Sequence, residues 1–160
     1  MAEGGFSHAF ALGDIAREEV DHVTEVLSDQ GITIITNVPI GRTMPHVNLI
    51  HKKGVNIAIG NDNIYDSWSP FDNGDLLKRA GHLAEVFNRA TEFKLAESIR
   101  FITGGKKPLD NKGKRIWPKV GDEAIIVLTE SSFSAEAIAR KNNRSAVLYD
   151  GKFLKGLTGD

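Results

Sequence analysis

Two β-branched runs, ITIIT at 32–36 and VNIAI at 55–59, do most to limit what this chain can fold into. The first has no polar alternation, the pattern of a strand covered on both faces, as in parallel sheets. A segment of helical period precedes each run. Residues 14–30 place Ala16, Val20, Val23 and Leu27 at helical spacing, with acids in the first turns, Asp14 positioned to cap the start and Gly31 to end it. A short helix over 45–53, closed by Gly54, precedes the second run, and a longer one over 75–90 follows it with Leu76, Ala80, Leu83 and Phe87 on one stripe. GFSHAF near the start reads as a further strand feeding the first helix. Residues 5–91 therefore predict three successive βα units, which make a parallel sheet with right-handed crossovers.

Beyond residue 91 the pattern changes. Leu95, Ile99 and Ile102 predict one more short helix, ending at Gly104 and Gly105. The Lys-rich turn LDNKGKR (109–115), a strand AIIVL (124–128) and a helix over 132–141 follow. SAVLYDGKFLKG (145–156) is a hairpin signal, with Asp150-Gly151 as a tight primed turn.

The chemistry available to such a fold is narrowed by what the chain carries. Its 20 Lys and Arg balance 21 Asp and Glu, so no long-range field draws it to nucleic acid or an anionic membrane. Without cysteine there are no disulfides, thiolate metal sites or cysteine nucleophiles. Neither a Walker A loop nor a dinucleotide glycine fingerprint occurs. The first residues lack the basic and apolar regions of a signal peptide, and no apolar run approaches the roughly 20 residues that span a bilayer, so a soluble cytoplasmic protein is expected.

The most polar stretch beside an apolar strand is GNDNIYDSWSP, residues 60–70. Ligands and catalytic groups gather at the carboxyl ends of parallel strands. Asp62, just past the strand at 55–59, and His8, at the end of the first strand, can face the same opening. In the blander alternative Asp62 caps a turn with Asn63, Asp66 does the same for Ser-Trp-Ser-Pro, and His8 is a core histidine bonded to backbone.

In chain order, the SHAFAL strand end, a helix, ITIITNVPIGRTMP, a short helix, GVNIAIGNDNIYDSWSPFDNGD and a long helix resemble the last three βα units of an amidohydrolase (β/α)8 barrel, in its cytosine deaminase-like branch. KVGDEAIIVLTES and the hairpin are similar to that family's closing β-sandwich strands. The resemblance implies a partial barrel over 5–103, strands six to eight with their helices, and a partial β-sandwich over 104–160.

Carried onto this sequence, the resemblance gives Asp62 the part of the aspartate that binds the metal and takes a proton from its bound water. His8 matches the histidine that contacts the attacking hydroxide or substrate. Trp68 matches a tryptophan walling the pocket, with Asn37 and Arg42 in the bordering loop after strand seven. The implied cofactor of the complete enzyme is a divalent metal, zinc or iron. Such an ion brings the pKa of bound water to roughly 7, and an adjacent carboxylate carries protons from nucleophile to leaving nitrogen. The chain departs from cytosine deaminases at Asn63, where they carry an acid, and at Asn61, where they carry a histidine, which turns the expectation away from cytosine itself.

The family's His-x-His, its ligand histidine on strand five and its catalytic glutamate have no counterpart here, since the match starts at strand six. A catalytic zinc typically takes three protein ligands, and His8 and Asp62 are the suitably placed groups. His22, His46, His51 and His82 fall on helices away from strand ends. The expectation is the carboxyl-terminal part of a metal-dependent amidohydrolase of deaminase type, hydrolysing a C–N bond in a cyclic or amide-like nitrogen compound and inactive as this chain alone. Alternatives are a truncated homologue acting as a scaffold or interaction module, and one half of a split enzyme. An open sheet of three strands further predicts a homo-oligomer or a complementing amino-terminal chain.

Overall fold

Residues 4–110, 112 and 114–154 are described by a computed structural model. Three strands, β1 (Gly5–Ser7), β2 (Thr33–Thr36) and β3 (Asn56–Ile59), form a parallel sheet in that order. Ser7 pairs with Ile35 and Ile35 with Ala58. Helix α1 (Arg17–Asp29) connects the first two strands, α2 (Val47–Lys52) the next two, and α3 (Leu76–Val86) follows β3. The three expected βα units are all present. Gly31 and Gly54, at φ 65° and 97°, turn the chain out of α1 and α2 into the next strand, a conformation glycine adopts without steric cost.

Local details differ from the sequence-based expectation. A 3-10 turn at Phe10–Gly13 takes up the chain after β1, so Asp14 ends that turn, and α1 starts from Ala16 with no side-chain cap. On α3 the inward residue of the first turn is Leu77, while Leu76 is 36% exposed, because Asp75 caps the helix through the N–H groups of Leu77 and Lys78. The sheet is covered on one face among the described residues. Ile34, Thr36, Ile57 and Ile59 are buried, whereas Ile35 is 40% exposed and Asn56 is open. The alternation of a half-covered strand is thus carried by position in the pleat, although the residues of β2 are β-branched on both faces.

The core joins Val20, Leu27, Ile34, Val47, Ile50, Ile57, Leu83 and Phe101 with Ile138 from the later part of the chain. Helix α4 (Glu92–Ser98) runs into a 3-10 turn at Ile99–Ile102, and β4 (Ile126–Thr129), β5 (Arg144–Tyr149) and β6 (Lys152–Leu154) form an antiparallel sheet. Asp150 and Gly151 make the expected tight turn, at φ 49° and 70°. Lys155 and Gly156 of that hairpin, and Asn111 and Gly113 of the Lys-rich turn, lie outside the described residues. Helix α5 (Ser134–Arg140) lies against α3 at Gly81, where a Cβ would come within 2.7 Å of the Ile138 carbonyl oxygen. Arg144 of β5 pairs with Asp75 at the start of α3. Among the described residues no helix is long and apolar enough to cross a membrane.

Candidate functional site

At the carboxyl end of β1 the chain passes through His8 and Ala9, both in the left-handed region at φ 66° and 48°. For residues other than glycine this costs on the order of 1 kcal/mol or more each, and such strain clusters at functional sites. The His8 N–H stays on the sheet, donating to the Ile35 carbonyl at 2.7 Å. Its ring packs against Phe10 with 5.0 Å between centroids, and Nε2 lies 3.8 Å from Asp62 Oδ2. The two residues singled out in the sequence, 54 positions apart by their numbers, are therefore neighbours at one end of the sheet.

The other strands deliver polar side chains to the same end. Asn37 follows β2, and its carbonyl accepts from Arg79 Nη1 at 3.1 Å. Past β3, the Gly60 N–H donates to the Thr36 carbonyl at 3.0 Å, tying the start of the 60–70 loop to β2. His8 Nδ1 and the Oδ1 atoms of Asn37, Asn61 and Asn63 are all buried without a protein partner. Buried polar atoms are nearly always paired, so these four atoms at the strand ends stand out as unmet within the described residues.

Asp66 organises the outer loop. Its Oδ1 accepts from the N–H groups of Trp68 (3.0 Å) and Ser69 (2.8 Å), and its Oδ2 from Asn63 Nδ2 (2.5 Å). The Ser69 N–H first, then Asn63, hold its carboxyl below the usual carboxylate range. Arg42 sits over the Trp68 ring at 5.9 Å, so the loops after β2 and β3 meet there, and the ring is 74% exposed. Sequence reasoning missed Asp72 and Arg79. Asp72 is 3% exposed and accepts from Arg79 Nε at 2.8 Å, and the same guanidinium holds the Asn37 carbonyl. Their buried pairing joins a loop to a helix and leaves no periodic trace within DNGD.

A model of the amidohydrolase family matches residues 2–154. The chain belongs to the amidohydrolase family. It is 39% identical over 150 residues to the uncharacterised protein YahJ of Escherichia coli (strain K12), covering 94% of this chain and 33% of that one. It is 28% identical over 151 residues to N-isopropylammelide isopropyl amidohydrolase of Pseudomonas sp. (strain ADP), covering 92% and 37%. Among solved structures, N-isopropylammelide isopropylaminohydrolase from Burkholderia multivorans superposes with a TM-score of 0.78 at 27% identity, over 93% of this chain and 38% of that one. The 5-methylcytosine deaminase from Klebsiella pneumoniae, at 0.73 and 18% identity, shares the fold over 94% and 40%. The chain thus spans about a third of the length of the curated relatives it matches, and its βα units are a carboxyl-terminal portion of the amidohydrolase (β/α)8 barrel.

In this amidohydrolase portion the donor set at the strand ends suits a divalent ion in kind: a carboxylate and an imidazole, 42% and 35% exposed, lie 3.8 Å apart. In number it supplies two of the three protein ligands typical of a catalytic zinc. Among the described residues, no group of three or more His, Cys, Asp or Glu side chains could hold a metal ion.

His51 and His82 lie on α2 and α3, and His46 and His22 are exposed on the outside. Burial foremost, then Arg100 for His51 and Arg79 for His82, pushes both imidazoles below their ordinary pKa. Glu97 and Glu85 oppose this without reversing it. A histidine kept neutral by the fold binds its proton more readily when unfolded, so stability falls with acid. Unfolding free energy is expected to be flat above pH of about 7 and to decline below about 6.5, where unfolded histidine titrates. Urea titrations from pH 8 to 5 check this, and His51→Gln should flatten the decline.

Proposed function

We propose that this chain forms the Asp62 side of the active site of a metal-dependent amidohydrolase of deaminase type, which hydrolyses a C–N bond in a cyclic or amide-like nitrogen compound. The observation that supports this reading is the placement of His8 Nε2 3.8 Å from Asp62 Oδ2 at the carboxyl end of a parallel sheet. Asp62 would hold a zinc or iron ion, which when bound supplies the Lewis acidity that makes water a nucleophile near pH 7. The Asp62 carboxylate accepts the nucleophile's proton and delivers it to the leaving nitrogen. His8 donates from Nε2 and orients the attacked carbon's substituent, its backbone anchored to Ile35. Asn37, Asn63, Arg42 and Trp68 border the substrate, with the exposed tryptophan face available for stacking on a planar ring.

The inner face of the sheet, with Ile35 and Asn56 open, is the side that the remaining staves of a barrel fill. A complementing amino-terminal segment, or failing that a second copy of the chain, is the proposed cover. Such a segment also brings the missing metal ligands.

The isolated chain is accordingly expected to bind zinc or iron weakly and to show no deaminase turnover, since two protein ligands leave most of the coordination shell to solvent. Metal analysis of the purified chain and assays on amino-substituted triazines and pyrimidines check this. Stoichiometric metal, lost in Asp62→Ala, would show that the chain needs no complement. With an amino-terminal segment of a family relative added, turnover should appear, and Asp62→Ala should lower it at least about 100-fold, the usual scale of a lost proton carrier.

A further inference from the structure

Just past β2 the chain enters a conformation that its sequence disfavours. Val38 is fully buried, β-branched and at φ 53°, where such a residue persists only if its surroundings enforce it. The enforcement falls on the peptide that joins Asn37 to Val38, which is held at both ends. Its N–H, from Val38, donates to Thr36 Oγ1 at 3.1 Å. Its oxygen, from Asn37, accepts from Arg79 Nη1 at 3.1 Å. Turning the peptide over would relieve the strain at Val38 but break both bonds.

Arg79 is itself anchored. Nε donates to Asp72 Oδ2 at 2.8 Å, and Nη2 pairs with the same oxygen. Asp72 belongs to the loop after β3, where its Oδ1 accepts from the Gly74 N–H at 3.1 Å and its carbonyl from the Tyr65 N–H at 2.8 Å. One guanidinium thus reaches two strand-end segments, that of Asn37 and Arg42 and that of Asp62 and Trp68. The point it holds is central. β2 is the middle strand, and its last carbonyls accept from the His8 N–H on one side, at Ile35, and from the Gly60 N–H on the other, at Thr36. Asn37 therefore leaves the sheet between His8 and the 60–70 loop.

We infer that Arg79 is a positioning residue of the proposed site: it fixes the Asn37–Val38 peptide and, through Asp72, ties the segment after β2 to the loop after β3. The effect on catalysis rests on the proposed function, and the effect on the turn rests on geometry alone. Losing a hydrogen bond from a charged donor corresponds to about 10- to 100-fold in the local equilibrium.

The test follows Val38 by NMR in the full chain. At φ 53° a residue gives a strong cross-peak between its own N–H and Hα, and an N–H held by Thr36 exchanges slowly with solvent. Arg79→Met should weaken the cross-peak and speed Val38 exchange about 10-fold or more beyond any change at the amides of α1. Because this variant also leaves the buried Asp72 carboxylate uncompensated and can unfold the chain, Arg79→Lys and Thr36→Val are measured beside it. Lysine keeps a cation at Asp72 but lacks the planar fork that serves two separate acceptors, so urea stability should stay nearer the parent while the Val38 signature is lost. Thr36→Val leaves the Arg79–Asp72 pair in place and should release the same peptide from its other end. An unchanged Val38 signature in the folded variants, or a change that only tracks global stability, overturns the inference. With an amino-terminal segment added, Arg79→Lys should raise KM about 10-fold and leave kcat within about threefold, since the segment after β2 borders the substrate while Asp62 carries the proton. An unchanged KM overturns the inference as well. If the Val38 signature responds as expected while the complemented parent chain shows no turnover, the inference stands for the turn and the proposed chemistry falls.

Discussion

Replacing Arg89 with methionine is expected to destabilise the fold by about 3 kcal/mol, the low end of the cost of removing one partner from a buried ion pair. Arg89 is 3% exposed, and burial lowers its pKa while Glu97 pulls it back. Four hydrogen bonds tie the guanidinium to the protein. Nε donates to Ser98 Oγ at 2.8 Å, Nη1 to Asn48 Oδ1 at 2.8 Å, and Nη2 to the Lys94 carbonyl and Glu97 Oε2, each at 3.2 Å. The group also lies 5.2 Å over the Phe101 ring. Methionine keeps much of the length and the apolar contact but removes four bonds, of whose acceptors the Lys94 carbonyl keeps the Ser98 hydroxyl as a donor. Arg100 and Lys107, each 3.9 Å from Glu97, soften the loss and keep it at the lower end. Arg89→Lys should recover only part of it, since an ammonium cannot reproduce the planar fork. Urea unfolding at pH 7 checks both variants. A methionine variant within about 1 kcal/mol of the parent would show that these bonds merely break even against water.

The same residue shows where sequence reasoning stops. The bond from Arg89, in the loop after α3, to Asn48 of α2 spans 41 positions, and nothing in the local pattern of either segment announces it. What was legible had a local cause: the β-branched runs, the glycines that end α1 and α2, the Asp150-Gly151 turn, and Asp66 as the cap of its own loop. The nearness of His8 and Asp62 was also legible, because parallel strands bring their carboxyl ends together whatever lies between them. The parts assigned to Asp62, His8, Trp68, Asn37 and Arg42 came through resemblance to a family, and geometry adds the contacts of His8 with Asp62 and of Arg42 with Trp68 and the unpartnered atoms of His8 and Asn37. Reading β2 as covered on both faces failed for a physical reason. Ile35 has the composition of a buried residue, yet it is 40% exposed, because composition does not say which face of a strand its neighbours cover.

Truncating Ile138 to alanine is expected to cost about 2–5 kcal/mol, the usual range for emptying a fully buried aliphatic site. Ile138 is 0% exposed on α5 and belongs to the same core as Leu83 and Phe101, so it fastens the segment between β4 and β5 to the parallel units. At Gly81 of α3 an added Cβ would sit 2.7 Å from the Ile138 carbonyl oxygen and 2.5 Å from Lys141 Cε. The lysine chain can swing aside, but a backbone carbonyl cannot. Gly81→Ala therefore sets a gain of about 1 kcal/mol in helix propensity against about 1–3 kcal/mol of overpacking, and the sum should be destabilising. The two variants act on one contact from opposite sides, one leaving space and the other removing it, so their effects should not add. In Ile138→Ala the relaxed carbonyl should tolerate the new methyl, and the double variant should be less destabilised than the two single costs combined. Thermal and urea melts of the single and double variants measure this. Strict additivity would mean that α5 does not pack on α3 at Gly81 as described.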